Sequence, residues 1–153
     1  MFIFPYQTKR SDEGKIFVPV VTVELETIKG FWPFEMLLDS GADVTTFPLT
    51  PLASYFPNFK KDPKNKIVIG GVEGRGVFGY PHSVHTKLGN KYFLLRCYFI
   101  ESNVDPLLGR LDFWNLFSVR FDNQKGRTEI IPTVPPGKQG IARGSRAFVS
   151  QTA

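Results

Sequence analysis

The sequence predicts a mostly β domain, a small closed or sandwich-like barrel with one or two short helices. Three observations carry this. Runs of β-branched and aromatic residues recur along the chain, turn residues separate them, and helical periodicity is sustained nowhere. The 153 residues are 42% hydrophobic and 22% charged, with 15 phenylalanines. That is enough apolar surface for one real core and far from a disordered composition.

Each element follows from its residues. Ile16 to Glu26 is rich in β-branched residues, and from Val21 apolar and polar side chains alternate. Ile28-Lys-Gly30 reads as a turn, and Phe31 to Leu38 as the returning strand. Val44 to Phe47 is a short strand stopped by Pro48. Thr50 as N-cap, with Pro51 at the first helical position, predicts a short helix over Leu52–Phe56. Residues 57–66 form a polar loop. Lys66 to Ile69 starts a strand that runs into the glycine-dense segment 70–79. Tyr80 to Leu88 is weakly strand-like and Lys91 to Ile100 strongly so. Leu111 to Phe117 predicts a second short helix. Ser118 to Asp122 and Thr128 to Ile131 predict a hairpin across residues 123–127.

One segment carries chemistry. Leu37-Leu-Asp-Ser-Gly-Ala-Asp43 sets a carboxylate directly after an apolar strand, followed by a hydroxyl and a glycine. The strand fixes Asp39, Gly41 permits a sharp turn, and Ser40 offers a hydrogen bond to nearby backbone. A carboxylate so held can activate water, but joint acid and base work needs a second one. Alone, Asp-Ser-Gly is also what ordinary turns use.

Three segments, in order, resemble the retropepsins, the single-lobe aspartic proteases of retroviruses and their cellular relatives. They are Pro19-Val-Val-Thr-Val23 with Leu37 to Asp43, then Lys66 to Gly74, then Pro106-Leu-Leu-Gly-Arg110. The resemblance spans residues 16–131. It leaves residues 1–15 as an N-terminal extension and 132–153 as a tail, with Ala147-Phe-Val149 a candidate edge strand. It implies the small closed barrel of the retropepsin type and a homodimer with one active site on its two-fold axis. Catalytic Asp39, Ser40 and Gly41 would come from each chain. Ala42, Asp43 and the flap residues Gly70, Gly71, Val72, Glu73 and Gly74 would meet a peptide or protein substrate. Leu107, Leu108, Gly109 and Arg110 would support the site, with Asp43 and Arg110 joined by a charge-assisted hydrogen bond. Glu73, and Arg75 beside it, depart from the apolar flaps of the better-known members. Retroviral members use their chain termini as dimer strands; here the residues after Ile131 cover that interface, replace it or hang free. A retropepsin-like module kept for dimerisation or peptide binding is the alternative to an active endopeptidase.

Other signals lead elsewhere or nowhere. Gly74-Arg-Gly-Val-Phe-Gly79 matches the dinucleotide fingerprint, but Tyr80-Pro81 and a β-type run follow where a helix is needed. His82 and His85 fall on opposite faces of a strand, so a zinc site is not expected, and the retropepsin resemblance implies neither metal nor cofactor. Cys97 shares a strand face with Phe93, Leu95 and Phe99 and reads as a core thiol, and Trp32 and Trp114 read as core anchors. The net charge of +5 comes largely from Lys60, Lys61, Lys64, Lys66, Lys138, Arg143 and Arg146, in loop and tail. No nucleic-acid motif accompanies it. Met1 to Gln7 lacks the cationic start of a signal peptide, and no apolar run approaches the ~20 residues of a membrane span. With a single cysteine, the expected location is the cytoplasm, without membrane or nucleic-acid partners.

Overall fold

The computed structural model describes residues 1–70 and 76–133. The architecture is mostly β, as expected, with twelve strands among the described residues and two short 3₁₀ turns. Seven strands build the main sheet: β4 (Val20–Thr27), β5 (Gly30–Leu38), β6 (Thr45–Pro48), β7 (Ile67–Ile69), β8 (Val77–Leu88), β9 (Lys91–Ile100) and β10 (Leu107–Leu108). Their order is β4-β5-β10-β6-β9-β8-β7, and β4 also pairs with β8 through Glu24↔Lys87 and Leu25↔Thr86. The sheet therefore closes on itself as a six-stranded barrel with β7 appended to β8. A Lys87–Glu24 ion pair of 3.4 Å lies across the closure.

The alternation read from Val21 decides which face is inside. Val21, Val23 and Leu25 of β4 are fully buried, as are Met36 and Leu38 of β5. Leu95, Cys97 and Phe99 of β9 point the same way. Phe47 stacks on Phe99 at 5.5 Å between ring centroids, and Phe113 packs on Phe117 at 4.8 Å. Cys97 is a buried free thiol, as predicted, and burial pushes its pKa up to about 12.

The remaining strands lie outside the barrel. β1 (Phe2–Pro5), β12 (Arg127–Pro132) and β11 (Phe117–Asp122) form a second sheet in the order β1-β12-β11, antiparallel throughout. β2 (Gln7–Ser11) and β3 (Gly14–Val18) form a separate hairpin. Residues 1–15 thus carry two strands and part of that hairpin. The run from Ile16 to Glu26 is not one strand, because Pro19 has no amide to give a ladder and β3 ends before it.

The first predicted helix forms as a short 3₁₀ helix, and the second does not form. Leu52–Tyr55 forms a 3₁₀ turn with no side-chain cap bond, and Thr50 is not its cap. Four residues before Phe56 are too few to repay α-helix nucleation. Within the polar loop a second 3₁₀ turn, Pro63–Asn65, is capped by Asp62, which accepts from the Lys64 amide at 2.9 Å. Residues 111–116 are turns, because Asp112 takes a left-handed φ of 68° that no α-helix continues through. That geometry lets the Asp112 carboxylate receive the Arg96 amide at 2.9 Å and both ends of its guanidinium. The weakly read 80–88 region is the longest strand, β8. Trp32 is not a core anchor: it is 58% exposed at the start of β5, beyond the barrel's packed interior. Trp114 does pack against the core. The candidate edge strand at 147–149 lies outside the described residues.

Candidate active site

Asp39 follows the last residue of β5, and its loop is held from below by a two-residue strand. β10 lies between β5 and β6, parallel to the first through Leu107↔Leu37 and Leu108↔Leu38, and antiparallel to the second through Leu107↔Thr46. The chain leaves β5, turns through Asp39 to Val44 and returns as β6, and β10 fills the gap between. The backbone bonds are continuous across it. Leu37 donates to the Pro106 carbonyl at 2.9 Å and Asp39 to the Leu108 carbonyl at 3.0 Å. Arg110 and Leu111 donate back to the Ala42 and Asp43 carbonyls, both at 2.9 Å. Each such bond contributes about 1 kcal/mol net. Together they fix the loop's position through the backbone.

Gly109 lies where the two segments cross. A Cβ there would sit 2.4 Å from the Val44 carbonyl carbon and oxygen, so only glycine fits. Its buried amide donates to Thr45 Oγ1 at 3.0 Å. Arg110, the next residue, pairs its guanidinium with the Asp43 carboxylate as predicted. Leu108 is fully buried and Leu107 half-buried.

Asp39 itself is half-buried, while Ser40, Gly41 and Asp43 are exposed and Ala42 is half-buried. The Gly41 amide donates to Asp39 Oδ1 at 2.9 Å, and the Ala42 amide to the Asp39 carbonyl at 3.2 Å. A Cβ on Gly41 would come within 3.3 Å of Oδ1. One carboxylate oxygen is thus oriented by its own loop.

Asp39 and Ser40 open onto a cavity of about 870 Å³. Its lining includes Val18, Pro19 and Leu37 together with the aromatic rings of Tyr6, Phe17 and Phe121. Tyr6 is set by its amide donating to the Gly126 carbonyl at 2.8 Å and its hydroxyl donating to Asn123 Oδ1 at 2.9 Å. Burial, and after it the Asp122 charge, push the Tyr6 hydroxyl up from its ordinary value, so it remains a neutral donor.

The predicted residues divide accordingly. Asp39 to Asp43 and Leu107 to Arg110 come together. Gly70 stands exposed at the end of β7, whose pairing with β8 through Ile69↔Val77 makes a hairpin. Gly71, Val72, Glu73 and Gly74 lie outside the described residues. Sequence reading missed Thr45 and the aromatic wall of Tyr6, Phe17 and Phe121. Thr45 and Gly109 are 64 residues apart, and Tyr6 sits in what reads as an extension. Among the described residues, no group of three His, Cys, Asp or Glu side chains is placed to hold a metal ion.

No family model matches the chain, and no curated protein does. Among solved structures the chain is similar to EIAV protease, solved in complex with the inhibitor HBY-793. The TM-score is 0.47 and the sequence identity 23%, over 61% of this chain and 82% of that one.

Proposed function

We propose that this chain is an aspartic endopeptidase whose active form is a homodimer, with one Asp39 from each subunit. The observation that carries the reading is the Asp39 loop: a carboxylate held by backbone bonds on both sides and open to a large cavity. The chain has one Asp-Ser-Gly, so the second carboxylate that acid and base catalysis requires must come from a second copy.

Two facing carboxylates share one proton, because two like charges at close range do not both ionise readily. The ionised member takes a proton from a water between them, and that water attacks the peptide carbonyl. The protonated member donates to the carbonyl oxygen and, as the intermediate collapses, a proton passes to the leaving nitrogen. The pair titrates as a unit. Ser40 buttresses the two loops, the Asp43–Arg110 pair stiffens each, and the hairpin of β7 and β8 covers an extended peptide. Neither metal nor cofactor takes part.

The test is cleavage of a mixed peptide pool by wild type and Asp39→Asn, from about pH 4 to pH 7, where a shared-proton pair loses activity as both carboxylates ionise. The expected result is cleavage by wild type that declines toward neutral pH, and a loss of at least about 10²-fold in the folded variant. Equal cleavage by both proteins would sink the proposal.

A further inference from the structure

The barrel closes between β4 and β8 through two residue pairs, Glu24↔Lys87 and Leu25↔Thr86. A second cavity, of about 300 Å³, lies beside the end of that ladder. It is lined by Glu26, Phe31, His85, Thr86, Tyr92 and Phe93. None of these residues lines the cavity at Asp39, so this site is independent of the protease reading.

The closure decides which side chains share a face. Paired residues point the same way, and every second residue of a strand returns to that side. Glu24 and Lys87 are one such pair, so Glu26, its partner Phe31, His85 and the Lys87 partner Tyr92 share their face. Phe31 belongs to β5 and Tyr92 to β9, with β4 and β8 between them. Their rings still meet, edge to face, at 5.8 Å and 77°. The two form a corner across the closure, Phe31 36% exposed and Tyr92 64%. Phe93 is fixed against Phe113 and Phe117, at 6.2 and 5.6 Å between ring centroids. Thr86 is buried, and its hydroxyl donates to the Val84 carbonyl at 3.1 Å.

We propose that this aromatic corner binds a quaternary ammonium headgroup, with Glu26 as its counter-charge. The face of an aromatic ring is the negative side of a quadrupole and attracts cations. Glu26 brings a carboxylate to the lining, while the neighbouring Glu24 and Lys87 offset each other in an ion pair of 3.4 Å. The fixed charge of this face is therefore negative. Tyr92 already displays the preference, because the Lys87 ammonium stands 5.7 Å from its ring centroid. Hydrogen bonding selects the kind of cation. A primary ammonium brings three N–H donors and loses water from each on entering an aromatic site. A trimethylammonium group has none to lose and sets its methyl groups against the rings. Free choline-type compounds and trimethylated lysine both carry this group.

Titration of the full chain, followed by the ring-current shift of the ligand's methyl protons, tests the site at about pH 8, where an imidazole is neutral. The probes are choline, its neutral isostere 3,3-dimethylbutanol, and one peptide carrying either trimethyllysine or unmodified lysine. Wild type should bind choline with a dissociation constant of about 1 mM or tighter, and the isostere at least about 10-fold more weakly. Phe31→Leu and Tyr92→Leu should each weaken choline about 10-fold, and Glu26→Gln about 3-fold. Trp32→Leu, whose ring lines a different cavity, should bind as wild type. Near-ultraviolet circular dichroism checks folding, and the isostere comparison on wild type decides the matter where a variant is misfolded. A trimethyllysine peptide at least about 10-fold tighter than choline assigns the headgroup to a protein partner, and equal affinity assigns it to a free compound. Four results overturn the proposal: no choline binding by wild type, an isostere that binds equally well, unchanged affinity in both ring variants, or unmodified lysine bound as tightly as trimethyllysine.

Discussion

Gly109 has no room for a side chain, and the reason is positional. Its Cα faces the backbone of Val44, which cannot rotate away as a side chain would. In Gly109→Ala the 2.4 Å contacts must be relieved by moving β10 or the 42–45 segment. Either movement strains the Leu108–Asp39 and Arg110–Ala42 bonds that hold the Asp39 loop. The expected cost is about 1–3 kcal/mol in urea unfolding, typical of overpacking. Cleavage should drop by more than that loss of stability explains, with the deficit in kcat. Gly126 is the contrast: nothing lies within 4 Å of a Cβ there, and its constraint is the left-handed φ of 62°. Two glycines alike in the sequence serve different physical ends, and only the fold tells them apart.

The 110–117 segment is an element whose form depends on one charge. Asp112 occupies a left-handed conformation and there binds Arg96 of β9 through backbone and side chain. The Arg96 side-chain bonds hold the Asp112 carboxyl below its ordinary value, opposed by burial. A carboxyl with a lower pKa folded than unfolded adds stability in full above its unfolded pKa, about 4. That contribution fades as the pH falls through the folded pKa. Asp112→Asn should therefore destabilise the domain clearly at pH 7 and much less at pH 3, read as the gap between the two urea midpoints. A gap that is the same at both pH values would show that the charge does not matter.

This element also marks how far the sequence could be read. Leu111 to Phe117 has helical composition, and nothing local announces that Asp112 will turn left-handed toward a partner on another strand. The same holds for Thr50 and Pro51, which look like a cap and a first turn. The strands were legible because alternation is a local signal: β4, β5, β9 and the β11–β12 hairpin stand close to where their residues put them. The Asp39 loop and its support were legible as two ordered segments, Leu37 to Asp43 and Pro106 to Arg110. What escaped was pairing: that β10 slides between β5 and β6, that Thr45 receives the Gly109 amide, and that Tyr6 and Phe17 line the same cavity as Asp39. Those are contacts between residues far apart in sequence, and no short window contains them.

At the scale of the whole molecule, the barrel is one closed unit around a phenylalanine-rich centre, and Cys97 sits inside it. A thiol must be both exposed and ionised to react, and burial denies it both, raising its pKa to about 12. Alkylation of Cys97 should be negligible in native buffer and accelerate with urea in step with global unfolding, because only opening of the barrel uncovers it. Prompt labelling of the native protein would mean that β8 and β9 separate on their own. His82 supports the expectation: its carbonyl receives the Cys97 thiol at 3.4 Å, tying the two strands directly over the sulfur.

The insertion of β10 has a consequence of timing. Asp43 and Arg110 are 67 residues apart, and the strand that props Asp39 is almost the last piece of the barrel to be made. A chain growing from its N-terminus therefore carries the whole Asp-Ser-Gly motif long before it can assemble it. Non-local pairings of this kind close late. A nascent or truncated chain ending short of Leu107 would present the Asp39 carboxylate on a slack loop without the backbone bonds that hold it. The Asp39 loop is in this sense self-delaying: its support cannot exist until nearly all of the barrel has left the ribosome.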